Sequence, residues 1–165
     1  MPPKILFSTE RQFDLLARAA HATESEGFMA DAIALAALDA ETNTIIALAV
    51  YQNRTTRGTE VHFAAESHKA LSRRDVLMGF CAFGFLQLKA PRIIAPIAAW
   101  NAPAQIAALK SGFLVTGYLG TGAIDGSDAI IMTLTRNNCR WLPPAMPRPA
   151  APNESEAMTR PPAEG

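Results

Sequence analysis

The stretch WNAPAQIAALKSGFLVTGYLGTGAIDGSDAIIMTLT, Trp100 to Thr135, decides the fold. It reads as a short helix from Asn101 to Ser111, with Pro103 in its first turn and Gly112 just past its end, the asymmetry helices prefer. Two strands follow, Phe113 to Leu119 and Ala129 to Thr135, joined by the turn-rich run from Gly120 to Ser127, where Asp125-Gly126 needs no more than turn chemistry to explain it. Upstream, Arg92 to Ala98 is apolar on both faces, as a central strand is. Pro96 cannot donate to a ladder there, so a bulge or a splayed strand end is expected at that point.

The remainder of the chain is read by its periods. Lys4 to Ser8 is a short edge-like strand. Ser8 or Thr9 caps an expected helix over Glu10 to Ala22, with Phe13, Leu16, Ala17 and Ala20 on one face. Ala32 to Asp39 and Ile45 to Gln52 are apolar runs around the turn residues 40–44, and Asn53 to Gly58 is a polar turn before a third strand, Thr59 to Ala65. The three form a meander. Ser72-Arg73-Arg74-Asp75 then has the look of a capping box. The helix after it shows a wide apolar face of Val76, Leu77, Phe80, Cys81, Phe83, Gly84 and Leu88, suited to packing on a sheet.

Composition bounds the function. With 165 residues, 49% of them hydrophobic and 18% charged, the chain can bury one good core and is short for two. Lysine plus arginine equals aspartate plus glutamate at 15 each, so no global field draws it to nucleic acid or an anionic membrane. The N-terminus turns polar at Ser8, too early for a secretion signal, and no apolar run approaches the roughly 20 residues of a membrane span. The expected location is cytoplasmic. Cys81 and Cys139 form no metal-ligand spacing and read as buried, reduced thiols; no metal is expected. From 143 to 165 the chain holds seven of its twelve prolines and no aromatic residue, which reads as an extended tail, passive or able to dock in a groove, after a domain at 1–142.

The order strand, helix, three meander strands, helix, strand, helix and two strands, with Asn101 leading NAPAQIAALKSGF, resembles the GCN5-related N-acetyltransferase superfamily. VHFAAESHKALSRRDVLMGFCAFGFLQLKAPRI and DGSDAIIMTLTRNNCRWL are similar to its bacteriophage and prophage members. The resemblance runs from about Asp31 to Leu142. It implies an α/β fold of the α+β kind: a mixed, mostly antiparallel sheet of six to seven strands, split near its middle, with helices on both faces. It also implies acetyl-CoA as cosubstrate and an amine as acceptor. Phe63, Ala64 and Ala65 would pair with the pantetheine arm as an added strand. Leu71, Ser72, Arg73 and Arg74, at a helix start, would meet the diphosphate. Asn101 would both donate to and accept from the arm across the split.

A general base is needed on the open side of that split. Glu60, His62 and Glu66 share one side of the third meander strand if no bulge intervenes. His62 is of the residue type suited to exchanging protons near neutrality. It also reads as an ordinary half-buried strand histidine, and the two glutamates as solvated surface charges. Two departures from the family pattern stand out. LSRRDVLMG lacks the glycines of the usual phosphate loop, and Ala108 occupies the position where a tyrosine commonly protonates the leaving thiolate. A second expectation follows from them: a catalytically silent protein of this fold, serving as a structural or binding component of a phage-like particle and virion-associated. The last strands and the Phe80–Phe83–Phe85 helix leave room for a homodimer.

Overall fold

The computed structural model describes residues 4–65, 67 and 69–143. Glu66, His68 and the expected tail beyond Pro143 lie outside the described residues. In chain order the elements are β1 (Ile5–Ser8), α1 (Gln12–Ala22), β2 (Ile33–Asp39), β3 (Ile45–Thr55), β4 (Gly58–Ala65), a 3₁₀ turn (Ala70–Ser72), α2 (Arg74–Ala82) widening into a π turn (Phe83–Gln87), β5 (Arg92–Ala98), α3 (Ala102–Ser111), β6 (Leu114–Leu119) and β7 (Ala129–Thr135). The seven strands form one sheet in the order β1-β2-β3-β4-β5-β7-β6. Only β4 and β5 run parallel; every other neighbouring pair is antiparallel.

The sheet carries an apolar layer on each face. On one side Leu15 and Ala19 of α1 meet Ala34, Ala36, Leu48, Val50 and Ala64. On the other, Tyr51, Phe80, Phe83, Phe85, Ile93, Met132 and Leu134 make the larger core, which also takes in Ala108 and Phe113 from the α3 end. The Tyr51 hydroxyl, fully inside, donates to the carbonyl of Phe80 at 2.6 Å, close to where the helix widens. A buried phenol needs such a partner. Cys81 and Cys139 are both free and buried in this layer. Among the described residues no helix is long and apolar enough to cross a membrane.

Helix α1 departs from the expected start and face. It begins at Gln12 without a side-chain cap, after Arg11 in the left-handed region at φ 60°. Ser8 accepts instead from the amide of Glu10 at 3.1 Å. The Gln12 carboxamide fixes the rotation of the helix: it donates to the carbonyl of Ala34 at 2.6 Å and accepts from the Ala34 amide at 2.8 Å. Ala34 lies beyond the last position that β1 pairs, so these two backbone groups need a partner from elsewhere. With Gln12 so placed, Leu15 and Ala19 turn inward, and Phe13 is left 86% exposed.

The β3–β4 hairpin also differs from a plain meander. Strand β3 continues through Thr55, so residues 53–55, expected in a turn, belong to the strand. Thr55 pairs with Gly58, yet Gln52 pairs with Glu60, so Asn53 and Arg54 together oppose the single residue Thr59. This is a bulge. Asn53 takes φ 50°, and the displaced amides of Asn53 and Arg54 donate to the two carboxylate oxygens of Asp31 at 3.0 and 2.7 Å.

At the other end of the sheet, β5 pairs with β7 through all seven residues without a shift, Pro96 opposite Ile131. No bulge forms there. Of the two expected solutions the splayed strand is found: β4 and β5 are in register only at Thr59–Ile93 and Glu60–Ile94. After α3 the chain turns at Gly112, φ 103°, where an added Cβ would lie 2.0 Å from the carbonyl oxygen of Asn138. Backbone on backbone cannot give way cheaply. Gly112→Ala is expected to lower stability by about 2 kcal/mol or more through strain and overpacking, read as a drop in the urea midpoint with the denaturant slope unchanged.

Candidate functional site

The site begins where β4 and β5 part. Beyond the two shared positions, each strand keeps its outer partner and the facing edges separate, leaving a cavity of about 350 Å³. Its wall includes Phe63, Ala64 and Ala65 from β4, Ala95, Pro96 and Ala98 from β5, and Asn101, Ala104 and Ala108 from the α3 side. So many alanines leave room for a slender chain along the strand edges. Pro96, which has no N–H to lose, sits on the diverging part of β5.

His62 is 5% exposed and lines the same cavity. Its Nε2 lies 2.6 Å from Glu60 Oε1. The same carboxylate oxygen accepts from the Gln52 carboxamide at 3.1 Å. The register accounts for the cluster: Gln52 stands directly opposite Glu60, and His62 is two residues farther along the same face. The hydrogen bond to His62 holds the Glu60 carboxyl below the usual glutamate range; burial opposes this, and Gln52 adds to it. Phe28 packs on the imidazole with ring centres 5.9 Å apart.

The structure thus brings together Glu60 and His62, and places His62 in the cavity with Phe63, Ala64, Ala65, Leu71 and Asn101. Asn101 is the N-cap of α3: its Oδ1 accepts from the Ala104 amide at 3.3 Å. The oxygen keeps its second lone pair and the carboxamide its N–H₂ donors, so a cap bond to Ala104 uses only part of what Asn101 can offer the cavity. Tyr51 also lines the cavity, but neither tyrosine has a free hydroxyl proton to give. The Tyr51 hydroxyl is held by Phe80, and Tyr118, on the exposed β6, donates to Asp128. At the cavity rim Asp125 accepts from the indole of Trp100 at 3.1 Å and from Ser127, as a turn carboxylate does.

The expected capping box at residues 72–75 does not form. Ser72 closes the 3₁₀ turn by donating to the Lys69 carbonyl at 2.9 Å, and Arg73 becomes the N-cap residue of α2. Asp75 is too short to reach back to the cap amide; it receives the Arg73 guanidinium through Nε at 3.0 Å and a second nitrogen at 2.7 Å. It also takes the Val76 amide at 3.0 Å. The charge of Arg73 is therefore balanced locally, while Arg74 is exposed. A second, more open cavity of about 760 Å³ lies beside this turn, lined by Arg18, Ser67, Lys69 and Arg73 among others.

This architecture is that of the GCN5-related N-acetyltransferases. The chain is similar in structure to a spermidine N-acetyltransferase from Vibrio cholerae solved with CoA and spermine, at a TM-score of 0.65 and 15% identity over 81% of this chain and 96% of that one. A ribosomal-protein-S5-alanine acetyltransferase from Vibrio fischeri gives 0.61 and 16% identity, covering 84% and 96%. No family model and no curated protein matches the chain.

Because Glu60 holds its proton less tightly in the folded state than the ordinary value of about 4.3, it stabilises the fold above that pH. This contribution disappears as pH falls through the lowered folded value. Urea unfolding should therefore show the native chain above Glu60→Gln at pH 7, with the gap closing on acidification toward pH 3.

Proposed function

We propose that this protein is an acetyl-CoA-dependent N-acetyltransferase acting on an amine by direct attack in a ternary complex. The observation that carries the reading is the cavity at the strand split with buried His62 on its wall, bonded to half-buried Glu60. The residues there suit the cosubstrate. The inner edge of β4 at Phe63, Ala64 and Ala65 has no β5 partner and can pair with the amides of a pantetheine arm. The Asn101 amide donates from the opposite wall. Arg74 and the first amides of α2 face the diphosphate, with Leu71, Ser72 and the balanced Arg73 shaping the turn.

Acetyl-CoA, when bound, supplies an acetyl group activated as a thioester. The chain's own part is proton handling and exclusion of water. An amine is mostly ammonium near neutral pH and must lose a proton before its lone pair can attack; His62 accepts that proton, and the Glu60 carboxylate offsets the charge left on the ring. With Ala108 in α3 and both tyrosines committed elsewhere, the departing thiolate takes its proton from water. Glu66, outside the described residues, stays a further candidate base by its place in the sequence.

Calorimetric titration of the full chain with acetyl-CoA and with CoA tests the reading, with micromolar binding expected, weakened by Arg73→Ala/Arg74→Ala. His62→Gln should keep that affinity and lose about 10²- to 10³-fold in kcat toward whichever amine is turned over. Absence of binding at millimolar ligand overturns the proposal. It would favour the second reading, a catalytically silent component of a phage-like particle, to which the Arg73–Asp75 pairing and the missing tyrosine lend support. Co-sedimentation with such a particle is its own test. A cytoplasmic location accompanies the first reading and a virion-associated one the second.

A further inference from the structure

We infer that Gln52 is a positioning residue: it holds His62 in the tautomer protonated at Nε2, with the lone pair at Nδ1, and ties the Glu60–His62 pair to the segment that follows α1. This rests on the proposal that His62 is the base. Gln52 is 4% exposed in the middle of β3, a place where an apolar side chain is the ordinary choice. Its orientation is fixed by one contact, the Met29 backbone amide donating to Gln52 Oε1 at 2.8 Å. An N–H needs an acceptor, so the amide nitrogen of Gln52 must point the other way, toward Glu60 Oε1 at 3.1 Å and His62 Nε2 at 3.3 Å.

The proton on the ring follows from these neighbours. His62 Nε2 faces a carboxylate oxygen, which only accepts, and an amide nitrogen, which only donates. A lone pair at Nε2 would face the ionised Glu60 at 2.6 Å, which is repulsive; a proton there makes a charge-assisted hydrogen bond. Gln52 acts through Glu60: by donating to the same Oε1 it holds that oxygen against the ring nitrogen, the contact that selects the Nε2–H tautomer. Nδ1 is left with its lone pair, and among the described residues no group is hydrogen-bonded to it. The neutral ring is thus set to receive a proton at Nδ1, while Nε2–H remains anchored on Glu60. Through Met29, the same carboxamide fastens the 24–32 segment, whose first residue Glu24 lines the cavity, to the base.

The test is a long-range proton–nitrogen correlation spectrum of the ¹⁵N-labelled full chain near pH 7.5, with the His62 ring assigned by its loss in His62→Gln. The expected result is the Nε2–H tautomer in the native chain. In Gln52→Met, which keeps the length and removes the amide, a mixture of tautomers is expected. With an accepted amine, kcat should fall about tenfold, the effect of losing one hydrogen bond, with acetyl-CoA affinity unchanged. Should Gln52→Met fail to fold, Gln52→Leu, an apolar side chain of similar volume in an apolar strand, removes the same donor, with the same spectral change expected. An Nδ1–H tautomer in the native chain, or an imidazole spectrum unaltered in the folded Gln52 variant, overturns the inference. The spectrum needs no turnover, so absence of acetyl transfer beside the expected tautomer would remove the proposed activity and leave this assignment standing.

Discussion

The feature on which the other parts of the molecule depend is the short union of β4 and β5. Two registered positions join a four-stranded blade, β1 to β4, to a three-stranded one, β5, β7 and β6. Each blade satisfies its own backbone: β4 through β3, and β5 through an uninterrupted ladder with β7. Because neither needs the other for its outer hydrogen bonds, the inner edges can separate without leaving the strands unsupported. Pro96 is tolerated for the same reason. The cavity is thus a product of ladder accounting, and the alanines that line it keep it from being filled by the protein's own side chains.

Much of this was legible in the sequence. The Asn101, Pro103 and Gly112 signals placed α3 to within a residue, because cap chemistry is local and a left-handed turn selects glycine directly. Pro96 marked the splay for an equally local reason. What the sequence could not show was rotation. The face of α1 is set by Gln12 meeting a backbone residue twenty-two positions away, and no period in the helix itself encodes that contact. The capping box at 72–75 failed on side-chain length: aspartate satisfied its nearest amide and its nearest cation instead.

The candidate site was legible in part. His62 and Glu60 fall on one face by simple alternation, and the structure joins them at 2.6 Å. Gln52 went unnoticed since a plain hairpin closed at Thr55 and Gly58 would set Asn53, not Gln52, opposite Glu60. The signal was present, an asparagine able to adopt positive φ and a polar residue in an apolar strand, but it gains meaning only when Asp31 is known to catch the freed amides.

That bulge gives the hairpin something like a reading frame. Side chains on a strand come in two alternating sets, and the extra residue at 53–54 decides which set of β3 meets which set of β4. Pairing residues 53 and 54 one by one, without the bulge, would leave both strands paired, yet would turn Gln52 over to the aromatic layer and send its neighbour Tyr51 to the histidine side. Two functional groups on separate strands are thus kept in phase by a miscount, and the carboxylate of Asp31, itself outside the cavity, is what preserves the count.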